Sequence, residues 1–146
     1  MAKFVFRFAA FLRLKEKIEE QKKTAYGEAL RKLEEEKNKK TAILRDRERM
    51  IDSFRKNLEN KISPADAQAH NNYLAYLKEA SARQDKAVKR AEEEAERRRA
   101  ELQEAMKERK KMEKLRERAQ ERHIIEEKKD EAKVTDGIVS YKYGKR

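Results

Sequence analysis

The stretch "NKISPADAQAHNNYLAYL", Asn60 to Leu77, holds the only proline of a 146-residue chain that is otherwise rich in charged helix formers. Ser63 can cap a helix that begins at Pro64, because proline fits a first helical turn, where its missing N–H would be unpaired anyway. Asp66 follows three residues after the cap, where the helix dipole favours a carboxylate. Because proline disfavours α conformation in the residue before it, the preceding helix should end near residues 61–63. The stretch predicts a turn near Ser63.

The composition excludes an ordinary globular domain. Charged residues make up 47% of the chain and hydrophobic residues 37%, and there is no tryptophan, which leaves too little apolar surface for a large core. Such a chain forms either long exposed helices that pair along a narrow seam or a disordered polyampholyte. The spacing of its apolar residues favours helices.

Seams of residues three and four apart run along the chain on both sides of the turn, as in coiled coils. The first seam includes Phe4, Phe8, Phe11, Ile18, Leu30, Lys37, Leu44, Ile51, Phe54 and Leu58. The second includes His70, Leu74, Leu77, Gln84, Ala91, Ala95, Arg98, Leu102, Ala105, Arg109 and Met112. Folding back at Ser63 pairs positions whose numbers add to about 126, so both seams can be buried together. A single kinked helix is the alternative, which the cap at Ser63 disfavours.

The sequence therefore predicts an all-α fold, in which two long helices form an antiparallel coiled-coil hairpin over residues 1–134. The expected helices cover residues 4–62 and 64–133. After them, "VTDGIVSYKYGKR" contains two glycines and no helical period, so residues 135–146 are predicted to be a flexible, disordered tail.

Consecutive steps of four in the first seam, between Ile18 and Leu30, resemble a stutter, where a left-handed supercoil locally unwinds. Gly27 lies in the same segment. An interior glycine costs about 1 kcal/mol relative to alanine, so a weak point is expected there. Gly27 is either a tolerated helical glycine or a hinge.

Residues that could carry chemistry are few. His70 and His123 are the only histidines and no cysteine is present, so a metal site has little support and packing explains both rings better. No glycine-rich phosphate loop occurs, and carboxylates on an open helix surface have no pocket to shift their pKa values. The sequence indicates a protein that is not an enzyme and needs no cofactor.

The net charge of +11 suggests an acidic partner: nucleic acid, an anionic membrane or an acidic protein surface. The run "KERKKMEKLRER" could contact phosphates, although acidic residues alternate through it and no nucleic-acid-binding motif is present. The N-terminal phenylalanines, with Lys3, Arg7 and Arg13 nearby, could attach to a membrane surface, but their spacing favours packing. Nothing approaches the roughly 20 apolar residues of a membrane span, and no signal-peptide cleavage site follows, so a soluble intracellular protein is expected.

A charge-poor segment follows the turn, because Asp66 is the only charged residue between Ser63 and Leu77. Tyr73, Leu74, Tyr76 and Leu77 place apolar groups on more than the one face that a two-helix seam can bury. Two explanations stay open: an apolar patch that binds a protein partner, or a wider seam that stabilises the hairpin near its turn.

The order of three segments resembles the flagellar FliJ proteins, which are coiled-coil components of the bacterial type III flagellar export apparatus. The segments are "MAKFVFRFAAFLRLKEKIEEQKK", "IDSFRKNLENKI" and "NNYLAYLKEA". Together with the chain length and the position of the break, the resemblance covers most of the chain. It implies an antiparallel two-helix coiled coil similar to the central stalk of rotary F-type ATPases.

The resemblance also implies a function in flagellum biogenesis, and through it in motility and chemotaxis. Such a protein would bind the hexameric export ATPase, promote its assembly and activity, and link it to the membrane export gate, with export chaperones as further partners. It would be cytoplasmic and peripheral to the inner membrane at the flagellar base. The alternatives are a stalk protein of a virulence-type secretion system or, less favoured, a basic coiled-coil nucleic-acid binder.

Two sets of residues follow from the resemblance. The end that would enter the ATPase ring contains Phe4, Arg7, Phe8, Phe11, Arg13, Arg116, Arg122 and Ile125. The positions that match the family's gate-contacting surface are Met50, Phe54, Tyr73, Leu77 and Ala80. Arg47 and Gln84 depart from the apolar and histidine types expected at the edges of that surface.

Overall fold

A computed structural model describes residues 3–144, which form two helices joined by a short turn. Helix α1 spans Ala9–Asn57 and helix α2 spans Pro64–Gly144, and the two pack against each other as an antiparallel hairpin. No strand occurs within residues 3–144. The predicted fold class is therefore confirmed. The predicted segments also include Met1, Ala2, Lys145 and Arg146, which lie outside the described residues.

The hairpin divides into two compact units, each containing a segment of both helices. The turn unit comprises Lys22–Glu101 and therefore includes the connection between α1 and α2. The terminal unit comprises Met1–Gln21 and Leu102–Arg146. Each unit has its own contacts between the two helices.

Contacts across the helices follow the pairing expected for a fold-back at Ser63. In the turn unit, Lys40 forms an ion pair with Asp85, and Lys22 lies 3.3 Å from Glu101. In the terminal unit, Arg109 pairs with Glu19 and, 2.9 Å away, with Glu113 on its own helix. The side-chain hydrogen bond to Glu19 is the main reason that the pKa of Arg109 is raised, so Arg109 keeps its positive charge.

The turn has the local chemistry of a helix start. Ser63 Oγ accepts a hydrogen bond of 3.1 Å from the Asp66 N–H, and the Ser63 carbonyl accepts one of 3.1 Å from Ala67. These bonds satisfy amide groups that the first turn of α2 would otherwise leave unpaired. Before the turn, α1 ends at Asn57, earlier than the predicted Ile62. The Asn60 N–H bonds to the Asn57 carbonyl at 3.0 Å, which makes a tight turn in place of a further helical turn.

Residues 3–8 are not helical, so α1 begins at Ala9 and not at Phe4 as predicted. Phe6 is buried with Leu12, and Phe4 packs against the same cluster. Residues two apart share a face in an extended chain, whereas helical residues two apart do not. Because residues 3–6 are not helical, Phe4 and Phe6 can both reach the core, and sequence spacing by threes and fours missed Phe6.

The buried face of α1 differs from the predicted seam by one residue along the middle of the helix. Ala29 is 8% exposed and Leu30 is 43% exposed, and Glu36 is buried whereas Lys37 is exposed. Within the segment of the predicted stutter, the half-buried and buried residues Lys15, Ile18, Lys22, Ala25 and Ala29 follow alternating steps of three and four. The prediction of a stutter was wrong because it favoured the larger apolar residue of each neighbouring pair.

The buried face of α2 agrees with the predicted second seam. Leu77, Ala91, Ala95, Ala105 and Met112 are buried, at spacings of 14, 4, 10 and 7 residues that all fit one heptad seam. Three of these five residues are alanines, which allow the backbones to approach closely. The interface is narrow, as the composition requires.

The predicted flexible tail is instead part of α2, which continues through residues 134–144. Once a helix has formed, each further residue adds one backbone hydrogen bond, so a helix can extend without tertiary contacts. Thr135 Oγ1 also donates a 2.9 Å hydrogen bond to the Glu131 carbonyl. Every residue of this segment is exposed. We name residues 134–144 the α2 extension.

Candidate protein-binding surfaces

Aromatic rings from both helices meet beside the turn. The Phe54 and His70 rings stack with centroids 3.9 Å apart and planes 7° from parallel. Both rings are half-buried and line a depression of about 410 Å³ with Met50, Asn57 and Ile62. Phe54 and Met50, both predicted gate-contacting residues, therefore border one concave surface of the turn unit.

Tyr73 is fixed to α1 through its hydroxyl, which donates a 2.9 Å hydrogen bond to Asp46 Oδ2. This bond to a carboxylate is the main reason that the pKa of Tyr73 is raised. The ring of Tyr76 lies 6.1 Å from that of Tyr73 and is 57% exposed. The two tyrosines therefore extend the aromatic surface outward from the seam.

Leu77 lies in the helix interface, where it is only 4% exposed, so it offers almost no surface to a partner. Met50, Phe54, Tyr73 and Ala80 are half-buried and keep some accessible surface. Leu77 therefore widens the seam, as one explanation of the charge-poor segment expects, whereas Tyr76 is exposed. The predicted patch omitted Tyr76, although it belongs to the same charge-poor run.

Glu36 is a buried carboxylate, 6% exposed, held at the seam by a polar network. Gln84 Nε2 donates hydrogen bonds to Glu36 Oε2 at 2.6 Å and to the Glu36 carbonyl at 2.8 Å. Lys32 and Lys39 reach Oε1 at 2.9 Å and 3.4 Å. The Lys32 hydrogen bond, followed by that of Gln84, lowers the pKa of Glu36 to about 2. Gln84 on α2 therefore joins the two helices through Glu36 on α1.

The terminal unit contains an apolar cluster of Phe6, Leu12 and Met112, with Phe4 and Ala119 packed against it. The Phe4 ring also lies 5.5 Å from that of His123, centroid to centroid. Among the predicted ATPase-contacting residues, Phe4, Arg7, Phe8 and Arg122 line one depression of about 340 Å³. Phe6, which the prediction lacked, lines it as well.

The other predicted residues of this end lie outside the depression but are exposed: Phe11, Arg13, Arg116 and Ile125. Cations lie over two of the exposed rings, with the Arg7 guanidinium 5.5 Å from the Phe8 centroid and Lys15 Nζ 5.0 Å from that of Phe11. Cation–π contacts of this kind hold a positive charge beside an apolar surface. The terminal unit thus presents exposed aromatic and basic groups together.

Both histidines have protein neighbours, since His70 stacks on Phe54 and His123 Nε2 lies 3.2 Å from Glu127 Oε1. Among residues 3–144 no group of three or more His, Asp or Glu side chains could hold a metal ion. Neither helix, as far as the structure describes it, has a stretch long and apolar enough to cross a membrane.

Comparison with known proteins identifies the family of this chain. A search of the curated proteins finds no match. The chain is similar in fold to a solved YscO homolog, CT670 from Chlamydia trachomatis, with a TM-score of 0.70, 21% identity and 93% of each chain covered. The family model described as flagellar FliJ protein matches residues 4–146. A match over nearly the whole chain means that this protein belongs to the flagellar FliJ family of export-apparatus components.

Proposed function

We propose that this protein is a non-enzymatic, stalk-like component of the flagellar type III export apparatus, in the cytoplasm beside the inner membrane. Its terminal unit binds the hexameric export ATPase and promotes hexamer formation and hydrolysis. Its turn unit contacts the membrane export gate, and export chaperones are further partners. The family match over residues 4–146 carries this proposal.

The surface chemistry supports separate tasks for the two units. The terminal unit combines exposed rings with Arg7, Arg13 and Arg122, which suits a partner surface that carries both apolar and acidic groups. The turn unit offers an aromatic surface around Phe54 and Tyr76 whose α2 side carries little charge, which suits a partner surface with apolar groups. The protein would act through differential contacts with ATPase subunit states, without chemistry of its own.

The ATPase assignment predicts that adding this protein to its cognate export ATPase raises both hydrolysis and the hexamer fraction. Phe8→Ser combined with Phe11→Ser should remove most of the stimulation, because both rings are exposed in the terminal unit. Hydrolysis assays and analytical ultracentrifugation measure the two effects.

A matched control for these changes is Leu30→Ser, which removes an apolar side chain of similar exposure from the turn unit. It should leave stimulation unchanged. If wild-type protein changes neither hydrolysis nor hexamer formation, the ATPase assignment is wrong. If Leu30→Ser is as harmful as the double change, the terminal unit is not the binding end.

The gate assignment predicts that Phe54→Ala with Tyr73→Ala weakens binding to the soluble part of the gate protein while helicity persists. Binding is measured by titration calorimetry, and helicity and melting by circular dichroism. Leu77→Ala is the comparison, because truncating a buried leucine costs about 2–5 kcal/mol of folding stability. A comparably sharp drop in melting for the double variant would assign Phe54 and Tyr73 to the seam instead.

The virulence-type alternative is tested with the same assay and two ATPases. The proposal expects stimulation of a flagellar export ATPase and little effect on one from a virulence-type system. The opposite preference would favour the alternative. The fold similarity to the YscO homolog does not decide between them, because at 21% identity it concerns the fold alone.

A further inference from the structure

A row of apolar side chains on α1 lies uncovered beside the seam. Leu30, Leu44 and Ile51 fall on one heptad row, each one residue after the buried or half-buried positions Ala29, Ile43 and Met50. Leu44 is 41% exposed and Ile51 is half-buried. These residues have the spacing of a helix-packing face, although α2 leaves Leu30 and Leu44 exposed and covers Ile51 only in part.

Leu44 borders a groove of about 340 Å³ between α1 and α2 in the turn unit. Its apolar lining includes Ile43, Leu44, Leu77 and Ala82, and its polar rim includes Arg47 and Lys78. Ala82 is small and exposed, so the α2 side of the groove is shallow. A groove of this kind fits an added helix better than a compact small molecule.

The unpaired charge around this groove is positive. Asp85, the acidic residue of its lining, is already held in an ion pair by Lys40. Arg47 and Lys78 have no ion-pair partner within residues 3–144, and both are exposed. The groove can therefore supply two cations to carboxylates on an incoming partner.

This groove shares the buried Leu77 and the edge residue Arg47 with the proposed gate-contacting surface, but it opens on the other side of the seam from Tyr73 and Ala80. Leu44 precedes Asp46, the partner of Tyr73, by two residues, and Lys78 precedes Ala80 by two residues. Residues two apart on a helix point about 200° apart, so the members of each pair flank the seam on opposite sides. A partner in the groove leaves Tyr73 and Ala80 accessible.

We propose that this groove docks an amphipathic helix of a partner protein, one whose apolar stripe is flanked by Asp or Glu. Its apolar side chains cover Leu44 and Ile51, and its carboxylates pair with Arg47 and Lys78. A second copy of this chain is a poorer occupant, because each copy carries a net charge of +11 and the two would repel. The inference rests on the groove and does not require the ATPase or gate assignments.

Two synthetic helical peptides test the proposal. They share one leucine stripe over three heptads and differ only in having Glu or Lys beside it. Fluorescence anisotropy at physiological salt measures their affinity for the full chain. The Glu peptide should bind, and Leu44→Ser should weaken its binding about tenfold or more. Leu14→Ser, at a similarly exposed leucine of the terminal unit, is the control and should leave the affinity unchanged.

Charge reversal separates the groove from general attraction to a basic protein. Arg47→Glu with Lys78→Glu leaves the chain strongly positive but should shift the preference toward the Lys peptide. If Leu44→Ser and Leu14→Ser have equal effects, or if charge reversal leaves the preference unchanged, the proposal is wrong. Concentration-dependent dimers in sedimentation that Leu44→Ser abolishes would also overturn it, in favour of a second copy.

These outcomes are independent of the proposed export function. The peptide measurements contain neither the ATPase nor the gate protein. If the peptides do not bind the groove but the protein stimulates the ATPase, only the groove proposal is wrong. If the peptides bind as expected but the ATPase is not stimulated, only the ATPase assignment is wrong.

Discussion

At the scale of single residues, Glu36 is a charged side chain at a seam position, where coiled coils usually have apolar residues. It remains ionised because Lys32, Lys39 and Gln84 supply hydrogen bonds that replace those of water. Breaking a buried polar network usually costs more than the network contributes over an apolar pair. Glu36 therefore specifies which residues of α2 can lie opposite.

The low pKa of Glu36 makes part of the folding stability depend on pH. Its pKa is about 2 in the folded protein and 4.5 for an ordinary glutamate, so the unfolded chain binds a proton first as pH falls. The stabilisation is present above pH 4.5 and is lost as pH falls toward about 2. Glu36→Gln should melt a few degrees below wild type at neutral pH, and this gap should close across that window.

Thermal melts followed by circular dichroism from neutral pH to pH 2 measure this gap. Glu35→Gln is the matched control, because Glu35 is exposed beside Glu36. It should show little difference from wild type at any pH. A gap for Glu36→Gln that stays constant with pH would mean that ionisation of Glu36 does not contribute.

At the scale of elements, Gly27 lies in the middle of α1, and Gly137 lies within the α2 extension, which ends at Gly144. Neither Gly27 nor Gly137 has positive φ, and a Cβ atom added at either would meet nothing within 4 Å. Alanine at such a site should stabilise its helix by about 0.5–1 kcal/mol.

The two glycines should differ in what they stabilise. Gly27→Ala should raise the melting temperature, because Gly27 lies between half-buried Tyr26 and the buried Ala29 in the turn unit. Gly137→Ala should increase helix content and amide protection within residues 134–144 without moving the melting temperature, since that segment is exposed throughout. A rise in melting for Gly137→Ala would show that the extension melts together with packed residues.

How far the sequence predicts these elements depends on what each face is made of. The α2 seam was predictable because Leu77, Val88 and Met112 mark it at regular spacing. The α1 seam was predicted one residue away in places. The prediction chose Leu30, which is more hydrophobic than the buried Ala29, and it chose Lys37 because the buried Glu36 is charged as well. The helical α2 extension was missed because Gly137 and Gly144 lower helix propensity without forbidding a helix.

At the scale of the whole molecule, the charge of +11 predicts weak, nonspecific binding to nucleic acid that salt removes. Affinity for random duplex DNA should fall about tenfold or more between low and physiological salt. Stimulation of the export ATPase should persist at physiological salt, because the proposed contact uses the exposed rings of the terminal unit as well as its charges. Filter binding and hydrolysis assays at matched salt concentrations compare the two.

Persistent DNA binding at physiological salt, together with no effect on the ATPase, would support a nucleic-acid-binding protein instead.

The sequence places the candidate surfaces approximately but does not show which of their residues are buried and which are exposed. Exposure assigns Leu77 to the interface and Tyr76 to the surface, and both lie in the same apolar run. Successive side chains of a helix point about 100° apart, so the neighbours Tyr76 and Leu77 lie on different faces of α2.

The bond from Gln84 to Glu36 also limits how the two helices can slide along each other. If α2 moved by one heptad within the turn unit, Glu36 would face Leu77 or Ala91 in place of Gln84, and its carboxylate would lose its donor on the other helix. Apolar seams alone tolerate such slippage better, since one leucine replaces another. We therefore expect a force along one helix of the turn unit to reach the other through this fixed register rather than to be lost in sliding.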